Sequence, residues 1–178
     1  MELRSILCSL LISLGLSFAA AAADDNNTYR LSSDDEISVT IFNEPDMSIS
    51  KIKVGTNGTI SMPLLGQVNI KGLTVTELEK TLTKKLLDGY LKKPNVTVSI
   101  SEYRPFYISG EVRKPGSYPY RKDLTIEKAI ALAGGFTERA AKGTISLAGE
   151  DTKRNVTSAP LNNAVKPGDV ITVRESFF

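Results

Sequence analysis

An α+β fold, arranged as two consecutive units, is predicted by three observations. Short segments alternate apolar and polar side chains, the period of a half-buried strand. Two stretches replace that alternation with apolar residues at helical spacing. The plan then restarts once, after Tyr103-Arg104-Pro105.

Asp24 to Thr28 is a polar lead-in, and ordered sequence begins at Tyr29-Arg30-Leu31. Ile37, Val39 and Ile41 alternate with Ser38, Thr40 and Phe42 in a first strand. Residues 49–54 alternate again, with Ile52 and Val54 on one face. Thr56-Asn57-Gly58 is a hairpin signal, which makes Thr59 to Met62 the returning strand. Pro63 to Val68 reads as a tight corner that sends Leu64 and Leu65 into the core. Thr74 is a good helix N-cap, and Glu77 completes a capping box. Val75, Leu78, Leu82 and Leu86 then recur at helical spacing, which predicts a helix over 75–87. Pro94 forbids continuation, and Val96, Val98 and Ile100 begin another strand.

After the joint, Phe106 to Val112 is a strand, Lys114-Pro115-Gly116 a turn, and Ser117 to Tyr120 the strand that pairs back. Thr125 caps a short helix with an apolar face of Ile126, Ala129, Ile130 and Ala133, closed by Gly134-Gly135. Thr144 to Leu147 and Lys153 to Val156 read as a hairpin. Lys166-Pro167-Gly168-Asp169 turns into a last strand, Val170 to Val173.

The beginning of the chain has the three parts of an export signal. Arg4 is the positive element, Ser5 to Phe18 the apolar run, and Ala19 to Ala23 the small residues a signal peptidase accepts. Cleavage is expected near Ala23, leaving about 155 residues. Cys8, the sole cysteine, lies ahead of the site that lipid attachment needs, so no lipid anchor is expected. The remainder has neither Cys nor His, which excludes disulfides, thiol nucleophiles, imidazole bases and the usual zinc ligands. Twenty-two Lys and Arg against 20 Asp and Glu give no basic excess of the kind nucleic acid calls for. Neither a cofactor nor a metal is expected.

In order and spacing these motifs resemble the bacterial polysaccharide export proteins. The first unit, expected over 28–102, carries Tyr29-Arg30-Leu31, Asp35-Glu36-Ile37-Ser38-Val39, Asn57-Gly58-Thr59-Ile60, Pro63-Leu64-Leu65-Gly66-Gln67-Val68, Gly72-Leu73-Thr74 and Pro94-Asn95-Val96-Thr97-Val98. The second, over 103–178, resembles the soluble-ligand-binding β-grasp (SLBB) domain. It carries Ile108-Ser109-Gly110-Glu111-Val112, Pro115-Gly116-Ser117-Tyr118, Ala133-Gly134-Gly135 and Pro167-Gly168-Asp169-Val170-Ile171-Thr172-Val173. Two departures stand out. The family's Gly-Pro-Gly-Asp turn is Ser32-Ser33-Asp34-Asp35 here, and this sequence stops at Phe178, short of the helix that forms an outer-membrane pore in long members.

The resemblance implies a periplasmic component of capsule or exopolysaccharide export, peripherally associated with the outer membrane. It also implies a homo-oligomeric ring whose partners are the polysaccharide, an inner-membrane polysaccharide co-polymerase and a separate outer-membrane channel protein. Tyr103, Arg104, Phe106, Tyr107, Tyr118, Tyr120 and Arg121 cluster along the second unit and are the candidates for glycan or subunit contact. Their rings suit sugar stacking or a buried joint equally well. A glycan-acting enzyme is the alternative, but it needs two carboxylates at a set separation. Asp34-Asp35-Glu36, the densest acidic group, reads as a solvated turn. A small outer-membrane β-barrel is the third possibility. Counting back from Phe178 gives Ser176, Arg174 and Thr172, a poor lipid face.

Overall fold

The computed structural model describes residues 28–149 and 155–176, so the expected export signal and Cys8 lie outside the described residues. Nine strands and two α-helices are described, which makes the fold α+β. The strands form three open sheets of three, two and four strands, not a closed barrel. The buried apolar residues fall into two clusters. One runs from Leu31 to Val98 and the other from Phe106 to Val173. Among the described residues no helix is long and apolar enough to cross a membrane.

The first cluster is closed by a three-stranded antiparallel sheet and a helix. Strand β1 (Glu36–Ile41) lies between β2 (Ile49–Lys53) and β5 (Val96–Glu102). Ile37, Val39 and Ile41 of β1 face inward, as their alternation requires. Helix α1 (Val75–Leu87) lays Val75, Leu78, Leu82 and Leu86 on that sheet. Its start is the capping box read from the sequence. The Thr74 hydroxyl accepts from the Glu77 amide at 3.2 Å, and the Glu77 carboxylate accepts from the Thr74 amide at 2.8 Å. Burying each leucine on this face contributes about 2 kcal/mol.

Residues 49–54 and 59–62 do not form the expected hairpin. The turn at Asn57-Gly58 exists, with Gly58 at φ 74°. It carries the chain into a separate two-stranded sheet of β3 (Thr59–Met62) and β4 (Gly66–Asn69). Residues 66–69 offer β3 four residues in direct succession, from Thr59↔Asn69 to Met62↔Gly66. Strand β2 meanwhile satisfies its backbone on β1. Leu64 is also not a core residue. It sits at the apex of the β3–β4 turn with φ 62° and is 62% exposed, because nothing apolar lies beneath a hairpin tip. Leu65 and Val68 do pack against the core.

The second cluster is covered by a mixed sheet in the order β7-β6-β9-β8, the β-grasp arrangement. Strand β6 (Phe106–Gly110) pairs antiparallel with β7 (Gly116–Tyr118) and parallel with β9 (Val170–Glu175). Strand β8 (Ala140–Ala148) pairs antiparallel with β9. Helix α2 (Ile126–Leu132) supplies Ile126, Ala129 and Ile130 to the core, with Ala133 buried just beyond it. Strand β6 ends at Gly110 instead of Val112. Gly110 has φ 82°, and a Cβ there would lie 2.0 Å from the Val173 carbonyl oxygen. The expected hairpin after β8 is present where described, since Leu147 and Val156 exchange both backbone hydrogen bonds at 2.8 Å.

Two outcomes follow for this fold. Gly110→Ala meets both a left-handed backbone and a carbonyl, so it is expected to lower stability by more than about 2 kcal/mol in urea titration. The second concerns pH. The Thr74 amide, the largest influence, and the Arg30 guanidinium hold the Glu77 carboxyl below its usual 4.5. A depressed carboxyl stabilises above the unfolded value and loses that contribution as pH falls through the folded one. Wild type should therefore lose more stability than Glu77→Gln below about pH 5, measured by denaturant unfolding across pH.

Candidate functional site

The two cores meet where the end of β5 becomes the start of β6, and the contact is built on one buried carboxylate. Asp35 is fully buried. It ends the turn Ser32–Asp35 immediately before β1. Its Oδ2 accepts from the Ser32 amide at 2.8 Å and from Arg104 Nη1 at 3.2 Å. Its Oδ1 accepts from the Tyr29 hydroxyl at 2.7 Å and from the Arg104 amide at 2.9 Å. Two of those four donors belong to Arg104, 69 positions further along the chain. The solvated acidic turn expected of Asp34-Asp35-Glu36 is thus corrected at its middle residue. Asp34 and Glu36 pair outward with Lys53 and Lys51 at 3.0 and 3.1 Å, while Asp35 turns in.

Tyr29 closes the triangle. Its hydroxyl accepts from Arg104 Nη1 at 2.9 Å while donating to Asp35, and the guanidinium carbon lies 5.7 Å from its ring centre. Burial first, then the hydrogen bond and charge of Asp35, push its phenol well above the usual 10. It therefore stays a neutral donor through the ordinary pH range. Its ring meets Tyr103 edge-on at 4.9 Å, and Tyr103 meets Tyr120 edge-on at 5.4 Å. Such edge-to-face pairs carry stabilisation beyond their buried area.

The far wall of the joint repeats the near one. In Lys166–Asp169, as in Ser32–Asp35, the aspartate carboxylate accepts the amide of the first residue at 2.8 Å. In both turns the aspartate amide returns to the first carbonyl, at 3.1 and 3.3 Å. The third residue is left-handed in each: Asp34 at φ 69° and Gly168 at φ 82°. Gly168 is required twice over, since a Cβ there would come within 2.8 Å of Arg104 Nε. Arg104 therefore lies across one turn and pairs with the aspartate of the other. An open cleft of about 320 Å³ beside it is lined by Ser32, Ser33, Arg104, Gly168 and Val170 among others.

The seven residues singled out in the sequence do not form one surface. Tyr103, Arg104 and Tyr120 gather at the joint. Phe106 is fully buried in the second core, with Tyr118 stacked on it at 5.9 Å and partly covered. Phe106 is thereby out of reach of glycan or a second subunit. Tyr107 is exposed on the outer face of the sheet, beside Val170. Arg121 lies apart, in a depression of about 460 Å³ with Lys122, Asp123, Lys128 and Leu132. Tyr29 and Asp35 were missed. Their signal was faint: a tyrosine six residues before an acid that directly precedes a strand.

Comparison with known proteins bears on both halves. Residues 23–101 match the family described as polysaccharide biosynthesis/export protein, and residues 105–158 match the SLBB domain. The chain belongs to the polysaccharide export protein family. The joint thus falls between the export match and the SLBB match, with Asp35 in one and Arg104 in the short connection. Exopolysaccharide production protein ExoF of Rhizobium meliloti is 38% identical over 104 residues, covering 54% of this chain and 25% of the relative. EPS I polysaccharide export outer membrane protein EpsA of Ralstonia nicotianae is 26% identical over 133 residues, covering 61% and 35%. Polysialic acid transport protein KpsD of Escherichia coli is 29% identical over 119 residues, covering 66% and 21%. The chain spans about a third or less of the length of these relatives.

Removing one partner of a buried pair strands the other. Asp35→Ala is expected to cost about 3 kcal/mol or more in equilibrium unfolding. Arg104→Met should cost less, and the double variant should show clear non-additivity in a double-mutant cycle.

Proposed function

We propose that this protein is a periplasmic component of polysaccharide export that guides a glycan and holds partner proteins without making or breaking bonds. The observation that carries the reading is the order of its parts: an export-family match over residues 23–101 followed by an SLBB match over 105–158, with a buried ion pair at the boundary. A conduit must keep its units at a fixed angle while polymer passes. A pair such as Asp35–Arg104, surrounded by Tyr29, Tyr103 and Tyr120, supports that rigidity. Three names among the relatives concern exopolysaccharide production, polysaccharide export and polysialic acid transport, which supports a polysaccharide as cargo.

In this reading the chain assembles as a homo-oligomeric ring between an inner-membrane co-polymerase and a separate outer-membrane channel. The cleft beside Arg104, with the hydroxyls of Ser32 and Ser33, offers polar contacts to sugar hydroxyls. Tyr107 on the outer sheet face offers a ring for stacking or for a neighbouring subunit.

Deletion of the gene is expected to remove polysaccharide from the cell surface, and wild-type complementation to restore it. Asp35→Ala at equal protein level should restore little, because the two units lose their fixed relation. Unchanged surface polysaccharide in the deletion strain would sink the proposal.

A further inference from the structure

Positive charge and exposed apolar surface coincide at the C-terminal end of α1. Residues 80–93 contain Lys80, Lys84, Lys85, Lys92 and Lys93 against a single acid, Asp88. That stretch carries a formal +4 in a chain whose total is +2, so the rest is net −2. Lys80, Lys84 and Leu87 share one stripe of α1, opposite the buried Leu78, Leu82 and Leu86. Leu87 is 52% exposed and Tyr90 49%. The arrangement is fixed by the helix end. Gly89 turns the chain at φ 91°, and the amides of Tyr90 and Leu91 both return to the Leu86 carbonyl, at 3.2 and 2.7 Å. Leu91 thereby packs on the core while Tyr90 points out. Phe42, 67% exposed, joins the same end, since its amide donates to the Asn95 carbonyl at 3.0 Å. Glu44 and Asp46 in the loop after Phe42, and Glu77 beside Lys80, are neighbouring acids, and the five lysines outnumber these and Asp88 together.

We propose that this end of the export unit docks on an anionic phospholipid surface. One exposed leucine is ordinary, but an exposed leucine and tyrosine within a lysine-rich segment, with an exposed phenylalanine at the same end of the sheet, are not. Lysines lay their stems along an interface and reach phosphates with their ammonium groups. Tyrosine prefers the headgroup level, and leucine and phenylalanine gain from the hydrocarbon boundary. A soluble acidic glycan would pair with the lysines and stack on Tyr90 but give Leu87 nothing apolar to enter. Protein interfaces are depleted in lysine, which disfavours a protein partner here. The proposal stands apart from the export reading, because it needs only this surface.

The test is co-sedimentation of the protein from residue 24 onward, which contains both cores, with vesicles of phosphatidylcholine alone or mixed with phosphatidylglycerol. Binding is expected to the mixed vesicles, to weaken with salt, and to be absent on phosphatidylcholine. Lys92→Glu with Lys93→Glu, or Leu87→Ser, should each weaken it about tenfold at unchanged melting temperature. If the double charge reversal melts early, Lys92→Gln with Lys93→Gln replaces it. No binding to the mixed vesicles overturns the proposal. So does equally tight binding of polygalacturonate that Leu87→Ser leaves intact, which would make the patch a glycan surface.

Discussion

A carboxylate taken out of water has to find donors for its lone pairs, and Asp35 finds four. The local ones, from Ser32 and Tyr29, fix the turn that launches β1. The distant ones, both from Arg104, fix where β6 begins. Because β1 is the central strand of its sheet and β6 an inner strand of the other, one ion pair ties both sheets to a common point. The pair is not a source of much net stability, since desolvation offsets most of its attraction. Its value is geometric: any other angle between the cores would leave a charge buried without its partner.

The two turns that flank Arg104 solve one problem twice. Each must reverse the chain immediately before an inward-facing strand, and each uses an aspartate to satisfy the amide that the reversal exposes. The second turn has glycine at its left-handed position and the first has Asp34. Aspartate tolerates that conformation better than most residues, and Lys53 pairs with its carboxylate. The departure from the family's Gly-Pro-Gly-Asp pattern therefore leaves the turn intact. Gly168 has no such freedom, because Arg104 occupies the space its Cβ would need.

Charge is distributed to match this division of labour. At the joint Asp35 is buried, and the flanking Asp34 and Glu36 pair with lysines of the adjoining strand. Five lysines collect between residues 80 and 93, at the end of α1, where Gly89 and Pro94 punctuate the chain. The proposed lipid-docking end and the joint lie at opposite ends of β5, which would let the export unit sit at a surface without disturbing the SLBB unit.

Helix α1 was legible in full from the sequence. Its bounds, its capping box and its four buried residues depend on contacts within a few residues, where spacing alone decides. For β1, β9 and the helix of the second unit the element and its apolar face were legible too, though β9 runs to Glu175, two residues past its expected end at Val173. The β3–β4 pairing was not legible, because a turn signal says that the chain reverses and not which strand it rejoins. Phe106 and Tyr107 show the limit for side chains: adjacent aromatics, one enclosed and one outside, separated only by the face of the sheet that each takes. Asp35 and Arg104 mark the larger limit. Each residue in isolation reads as solvated charge, and only the packing of two cores brings them within 3.2 Å and excludes the water that would otherwise separate them.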